Sequence, residues 1–221
     1  MDRQTRAGII LKRLRPRYPG AASALLWTNP YQLLVATVLA AQCTDARVNL
    51  VTPEFFRRWP DPAALAAADV AEVEVVVHST GFFRNKAKNL VAAAKMMVAE
   101  HGGAVPRTLA ELTALPGLAR KTANIVSGNA YGNHEGIAVD THVKRLSFRL
   151  DLTDSENPVV IERDLIPLFP REAFGEINHL LVLFGRDVCQ ARRPRCQDCP
   201  LADVCPRKGV STPAGNTTSR P

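Results

Sequence analysis

Apolar residues recur along most of this chain with the spacing of helices rather than strands. From Ala87 onward, Leu90, Val91, Ala94, Met97 and Val98 return at three- and four-residue intervals, the stripe of an amphipathic helix. Gly102-Gly103 ends it. Ile177, Leu180, Leu181 and Phe184 repeat the pattern near the C-terminus, and Ile9, Ile10 and Leu14 repeat it near the N-terminus before Pro16 stops that helix. Residues 31–42 are apolar nearly all round and predict a central buried helix. The β-branched run Val73 to Val77 is open to a strand reading, but its short length and helical neighbours favour a helix. Breakers recur at Asn29-Pro30, Trp59-Pro60-Asp61-Pro62, Gly102-Gly103, Pro116-Gly117 and Gly132-Asn133. The pattern therefore predicts an all-α chain of short helices and tight turns, without an internal repeat. Residues 208–221, small and polar, read as a mobile tail.

Composition narrows the partners more than the fold. With 221 residues, 46% of them hydrophobic, the chain can build one large core or two smaller ones. Lys and Arg number 28 against 21 Asp and Glu, a formal +7, and that surplus suits a polyanion, either nucleic acid or an anionic membrane. The longest apolar run, Leu33 to Ala41, is broken by Thr37 and falls far short of the roughly 18 residues a bilayer demands. The N-terminus MDRQTRAGIILKRLR lacks the apolar stretch of a signal peptide. The expectation is a soluble, cytoplasmic protein.

Cys189, Cys196, Cys199 and Cys205 form the pattern C-x6-C-x2-C-x5-C, while Cys43 stands alone in an apolar segment, where it reads as a small buried residue. Two disulfides crowded at one end of a helical, cytoplasmic chain would be odd. Four thiolates at one centre suit tetrahedral zinc or an iron–sulfur cube. Zinc sites usually draw on two C-x2-C pairs, and a single pair flanked by two lone cysteines favours a [4Fe-4S] cluster. Between the first two cysteines lies QARRPR. A metal pinning that loop at both ends would hold Arg192, Arg193 and Arg195 as a preorganised phosphate contact, which favours nucleic acid over a membrane.

Two further segments carry chemistry. In LPGLARKTAN, residues 115–124, Pro116-Gly117 makes a tight turn and a helix begins at about Arg120. Its free backbone N–H groups form a phosphate seat that reads no sequence. Lys121 lies in the first turn of that helix, where the positive dipole end opposes its charge. Desolvated as well, it would be a neutral amine ready to attack carbon. In VDTHVKRL, residues 139–146, Asp140 precedes an apolar-periodic helix. It suits an N-cap, and a capping carboxylate facing Lys121 could also orient the amine, take its proton and offset positive charge on an opening sugar. His142, Lys144 and Arg145 add cations beside it, although His142 also suits a purely structural place.

Together, LPGLARKTAN, VDTHVKR and C-x6-C-x2-C-x5-C resemble the endonuclease III family of helix-hairpin-helix DNA glycosylase/AP lyases, in order and spacing, from about residue 5 to residue 206. The resemblance implies two helical domains flanking a DNA-binding cleft. Residues 24–134 would form a six-helix barrel with the hairpin, including Gly117, Ala119 and Arg120. Residues 1–23 and 135–207 would form the [4Fe-4S] domain, with Cys189, Cys196, Cys199 and Cys205 as ligands. Lys121 would attack C1′ of a damaged deoxynucleotide, and Asp140 would be the catalytic carboxylate. Gln42, in AAQCTD, matches the residue that fills the space left by an extruded base. Phe82, in TGFFRNKA, lies where the family inserts an apolar wedge. The implied partner is double-stranded DNA with oxidised pyrimidines or abasic sites, bound by a monomer at the nucleoid.

Three positions depart from the family pattern. The hairpin usually reads Leu-Pro-Gly-x-Gly, and Ala119 replaces its second glycine. Were positive φ needed there, alanine would cost about 1 kcal/mol or relax the turn. Phe82-Phe83 replaces what is commonly Leu-Tyr, which points to an altered lesion range or opposite-base preference. Two other readings fit the residues less well. The related adenine glycosylase acting opposite 8-oxoguanine lacks the lysine and has a glutamate where this chain has Thr37. A lesion-binding metalloprotein without catalysis would give Lys121 and Asp140 no joint task.

Overall fold

A computed structural model describes residues 1–21 and 24–210 of the chain. Most of the expected tail, residues 211–221, lies outside the described residues. Among the described residues every regular element is helical: α1 (Arg3–Leu14), α2 (Pro30–Leu39), α3 (Asp45–Arg58), α4 (Pro62–Ala66), α5 (Val70–Val77), α6 (Phe83–His101), α7 (Leu109–Ala114), α8 (Arg120–Tyr131), α9 (Thr141–Arg149), α10 (Pro158–Leu165) and α11 (Phe174–Asp187), with short 3-10 turns between some of them. No helix is long and apolar enough to cross a membrane. The chain divides into two compact units. One takes in Met1–Ala21, Val139–Pro170 and the described residues from Ile177 onward; the other takes in residues 24–138 together with Arg171–Glu176.

In the second unit α2 is buried on nearly every side, from Leu33 through Leu39. It ends at Leu39, earlier than the apolar run suggests. Cys43 N–H closes a turn onto the Ala40 carbonyl, Gln42 takes a left-handed φ of 55°, and Thr44 caps α3. Hydropathy reports what is buried, not where a helix stops. The Val73 to Val77 run is helical: Val73 and Val77, four apart, are buried, while Val75 between them is 74% exposed, which a two-residue period would forbid. Along α6, Leu90, Val91, Ala94 and Met97 face the core, but Val98 is exposed. Cys43 is half-buried against the same core.

The first unit is stitched together by arginines of α1. Arg6 is buried and donates to the carbonyls of Val204, Asp151 and Met1 and to an Asp151 carboxylate oxygen. Arg13, in the last turn of α1, donates to the Pro200 carbonyl at 2.9 Å and forms a bidentate pair with Asp203. Buried polar groups must find such partners, and here the N-terminal helix supplies them to the cysteine-rich C-terminal segment.

Candidate functional site

The hairpin is built from local signals. Thr108 and Glu111 form a reciprocal capping box that starts α7. Leu115 ends that helix in an extended conformation, as a residue before proline prefers. Leu115 and Leu118 are buried, and the Leu118 N–H donates to the Leu115 carbonyl at 3.2 Å, closing the turn. Gly117 has φ +80°, and a Cβ there would lie 2.6 Å from the Asn89 side chain of α6. Only glycine meets both conditions. Ala119, by contrast, has φ −71° and ψ 159°, so alanine carries no strain there and the turn need not relax.

Ala119 is the N-cap of α8 and offers no side-chain bond to the amides of the first turn. An N-cap side chain therefore does not compete with an anion at this helix end. Arg120 and Lys121 occupy the first two positions of α8, and both are exposed. The folded chain therefore leaves the Lys121 side chain open to solvent. Two exposed side chains on the same unit have left-handed backbones: Gln42 with φ 55°, in the turn after α2, and Phe82 with φ 50°, at the N-cap of α6 and 62% exposed. Such conformations cost non-glycine residues roughly 1–3 kcal/mol and gather at functional sites.

In the first unit Asp140 caps α9, its Oδ1 accepting the N–H groups of His142 and Val143, both at 2.8 Å. Oδ2 lies outside the cap. The capping job read from sequence is therefore real, and one oxygen is left over for further work. His142 sits against α11: its Nδ1 is 3.1 Å from Arg145 Nη2, which also donates to the carbonyls of Gly185 and Cys189. A guanidinium can only donate, so that ring nitrogen accepts. Lys144 pairs with Glu156 at 3.2 Å. Arg195 is tied to Asp187, while Arg192 and Arg193 are exposed. Of the cations the sequence offers to phosphates, His142, Lys144 and Arg195 thus already have partners in the protein.

Cys189, Cys196, Cys199 and Cys205 line one pocket, walled by Leu150, Phe184, Val188 and Ala202. All five cysteines of the chain are free thiols, so no disulfide forms. Among the described residues no three His, Cys, Asp or Glu side chains are placed to hold a single metal ion. Four cysteine thiols around one pocket are the donor set that a [4Fe-4S] cube requires. Burial pushes the Cys199 and Cys205 thiols up, so these two are protonated until a metal replaces the proton. Arg149, buried at the end of α9, donates to Cys189 Sγ at 3.4 Å and to the carbonyls of Gln190 and Ala191 at 2.8 and 2.7 Å. Outer donors of this kind orient metal-binding thiolates. Sequence reading passed over Arg149; its signal was the i, i+4 spacing from Arg145, which puts both on one face of α9.

Comparison with known proteins agrees with this geometry. Residues 35–171 match the family described as "HhH-GPD superfamily base excision DNA repair protein", and residues 189–205 match the "Iron-sulfur binding domain of endonuclease III". The chain is 52% identical to endonuclease III of Synechocystis sp. over 95% of its own length and 96% of that protein's. It is 37% identical to endonuclease III of Escherichia coli, over 90% and 94%. Among solved structures it is similar to a trapped endonuclease III–DNA covalent intermediate, with a TM-score of 0.86 and 38% identity, covering 94% of this chain and 97% of that one. A non-covalent endonuclease III–DNA complex gives the same score and identity over 94% and 96%.

Proposed function

Since the chain belongs to the endonuclease III family, within the HhH-GPD superfamily of base excision DNA repair proteins, we propose that Lys121 is its nucleophile and Asp140 its catalytic carboxylate, acting on oxidised pyrimidines in double-stranded DNA. The protein is a DNA glycosylase and abasic-site lyase that carries a [4Fe-4S] cluster. A lesion-binding protein without catalysis is not favoured, because its relatives are endonucleases.

The observation that carries the reading is the first turn of α8, uncapped and exposed, with Lys121 upon it. The open amides receive a backbone phosphate, and the damaged nucleotide, extruded from the stack, covers the amine and dries it. Asp140, through the oxygen its cap leaves over, takes a proton from the amine. The nitrogen then bonds to C1′, the bond from C1′ to the base breaks, and the base leaves with the electron pair. Asp140 also offsets positive charge on the sugar as it opens. The C1′–O4′ bond then breaks as nitrogen's lone pair forms the C=N bond, O4′ takes up a proton as the ring opens, and the protonated imine that results lets loss of a C2′ proton expel the 3′ phosphate and cut the strand.

Gln42 fills the space left in the duplex, and Phe82 wedges beside it. Gly117, Ala119 and Arg120 of the hairpin, with Arg192 and Arg193, grip the flanking backbone, assisted by His142, Lys144 and Arg195. The thiolates of Cys189, Cys196, Cys199 and Cys205 hold the cluster, which when bound ties the QARRPR loop at both ends. Thymine glycol and 5-hydroxycytosine are the substrate class. The protein works as a monomer at the nucleoid, with residues 24–134 and residues 1–23 plus 135–207 as its two domains.

Borohydride trapping on a duplex with one thymine glycol tests this. A covalent adduct is expected with the unaltered protein and none with Lys121→Ala. An adduct from both would remove Lys121 from the reaction. No adduct from either, on this duplex or on an abasic one, with binding intact, would leave only lesion binding.

A further inference from the structure

Lys86 is a buried cation to which the reaction gives no task. It lies in the first turn of α6 and is 6% exposed. Its ammonium donates to the carbonyls of Leu39 and Thr80, each at 2.8 Å. Leu39 is the last residue of α2, three before Gln42. Thr80 ends the 3-10 turn His78–Thr80, two before Phe82. The Lys86 backbone N–H meanwhile donates to the Phe82 carbonyl at 3.1 Å. One residue therefore holds the roots of both turns whose tips are the exposed, left-handed Gln42 and Phe82.

A plain helix cap does not explain this choice. A cation at the N-terminal end of a helix opposes the dipole, and burying it carries a desolvation cost. That burial pulls the Lys86 ammonium's pKa down, partly offset by Cys43. Neutral hydroxyl or carboxamide side chains satisfy helix ends at lower cost. An ammonium instead offers three donors diverging from one atom, enough to bind carbonyls from two separate turns at once. We propose that Lys86 is a positioning residue that locks the Gln42 and Phe82 turns to one another, so that both side chains enter the duplex together. This rests on the insertion reading of Gln42 and Phe82 given above.

The test uses the full-length, cluster-loaded protein and a duplex with 2-aminopurine next to a non-cleavable abasic analogue, where unstacking raises the fluorescence. Lys86→Met is expected to lose most of that rise. Single-turnover excision of thymine glycol should also fall by about tenfold or more, since displacing such groups by about 1 Å can cost 10²-fold. In a protein already carrying Gln42→Ala and Phe82→Ala, adding Lys86→Met should change neither readout further, because residues acting through one another are not additive. If Lys86→Met does not fold, judged by helical circular dichroism, Lys86→Gln, which keeps a polar donor but loses the charge, the third N–H and the longer stem, takes its place under the same expectations. An unchanged rise and rate, or the same fold-loss in both backgrounds, would overturn the inference. If Gln42→Ala with Phe82→Ala leaves the rise intact, the insertion reading itself fails and this inference with it. If that pair abolishes the rise and Lys86→Met does not, only the locking role is lost.

Discussion

The Cβ that Gly117 lacks would lie 2.6 Å from the Cβ of Asn89, so the hairpin turn rests directly on α6. Gly117→Ala meets both this overlap and a φ of +80°, and a loss of roughly 2–4 kcal/mol follows from strain plus overpacking. Asn89→Ala should restore only part, because it removes Cγ and Nδ2 but leaves Cβ at 2.6 Å; Asn89→Gly should restore more. Thermal melts of the three double and single variants check this, and equal stability of Gly117→Ala and the unaltered protein would contradict the contact.

Ala119 leaves the α8 amides uncapped. Ala119→Asp should therefore stabilise the protein by about 1 kcal/mol, the usual gain of a good cap. It should also weaken DNA binding, because the new carboxylate occupies the amides and repels phosphate. A rise in melting temperature together with a rise in Kd is expected; unchanged DNA affinity would exclude these amides as a phosphate seat.

Arg149 joins Cys189 Sγ to two carbonyls of the following loop. Arg149→Met removes the cation and leaves those acceptors unmet, a loss of roughly 2–4 kcal/mol. Faster loss of the cluster's visible absorbance in air should accompany it. Lys at this position should rescue poorly, since one ammonium lacks the planar fork that serves all three acceptors. The decay rate of the absorbance measures this directly.

Asp151 is held below its ordinary range, first by a hydrogen bond from Lys208 and then by Arg6 and Arg3. A folded-state pKa that is depressed contributes stability above the unfolded value of about 3.9, and loses it as pH falls through the folded value. Acid unfolding should therefore show a contribution from this residue only below about pH 4. In Asp151→Asn stability at neutral pH should be lower and that part of the acid dependence absent. Denaturant melts between neutral and acid pH distinguish the two proteins.

Phe82 is exposed at the N-cap of α6, and as the wedge proposed above its bulk would set what can be displaced. Phe82→Leu should change the relative excision rates across a panel of oxidised pyrimidines and opposite bases. Identical relative rates would remove the wedge's part in lesion choice.

Much of this protein is decided by neighbours in sequence. Three- and four-residue periods give the helices, Thr108 with Glu111 and Asp140 with the two amides after it set helix starts, and the cysteine spacing marks the metal centre, because each of these is an interaction within one or two turns of chain. Contacts between distant residues were not legible. The partners of Lys86 include a carbonyl 47 residues away and those of Arg149 lie some 40 residues off; nothing near either position says where its donors go. The same is true of Arg195 and Lys144, whose ion pairs with Asp187 and Glu156 no neighbouring residue announces. Backbone conformation followed the same division. Gly117 had to be glycine for reasons partly local, whereas the extended φ of Ala119 and the left-handed φ of Gln42 and Phe82 depend on how the turns dock. Sequence alone determined which elements and which chemistry exist, because periodicity and spacing are local. Tertiary structure decided which charges are already paired and which turns are pinned, because a charge or a carbonyl is satisfied by whatever the fold brings near it.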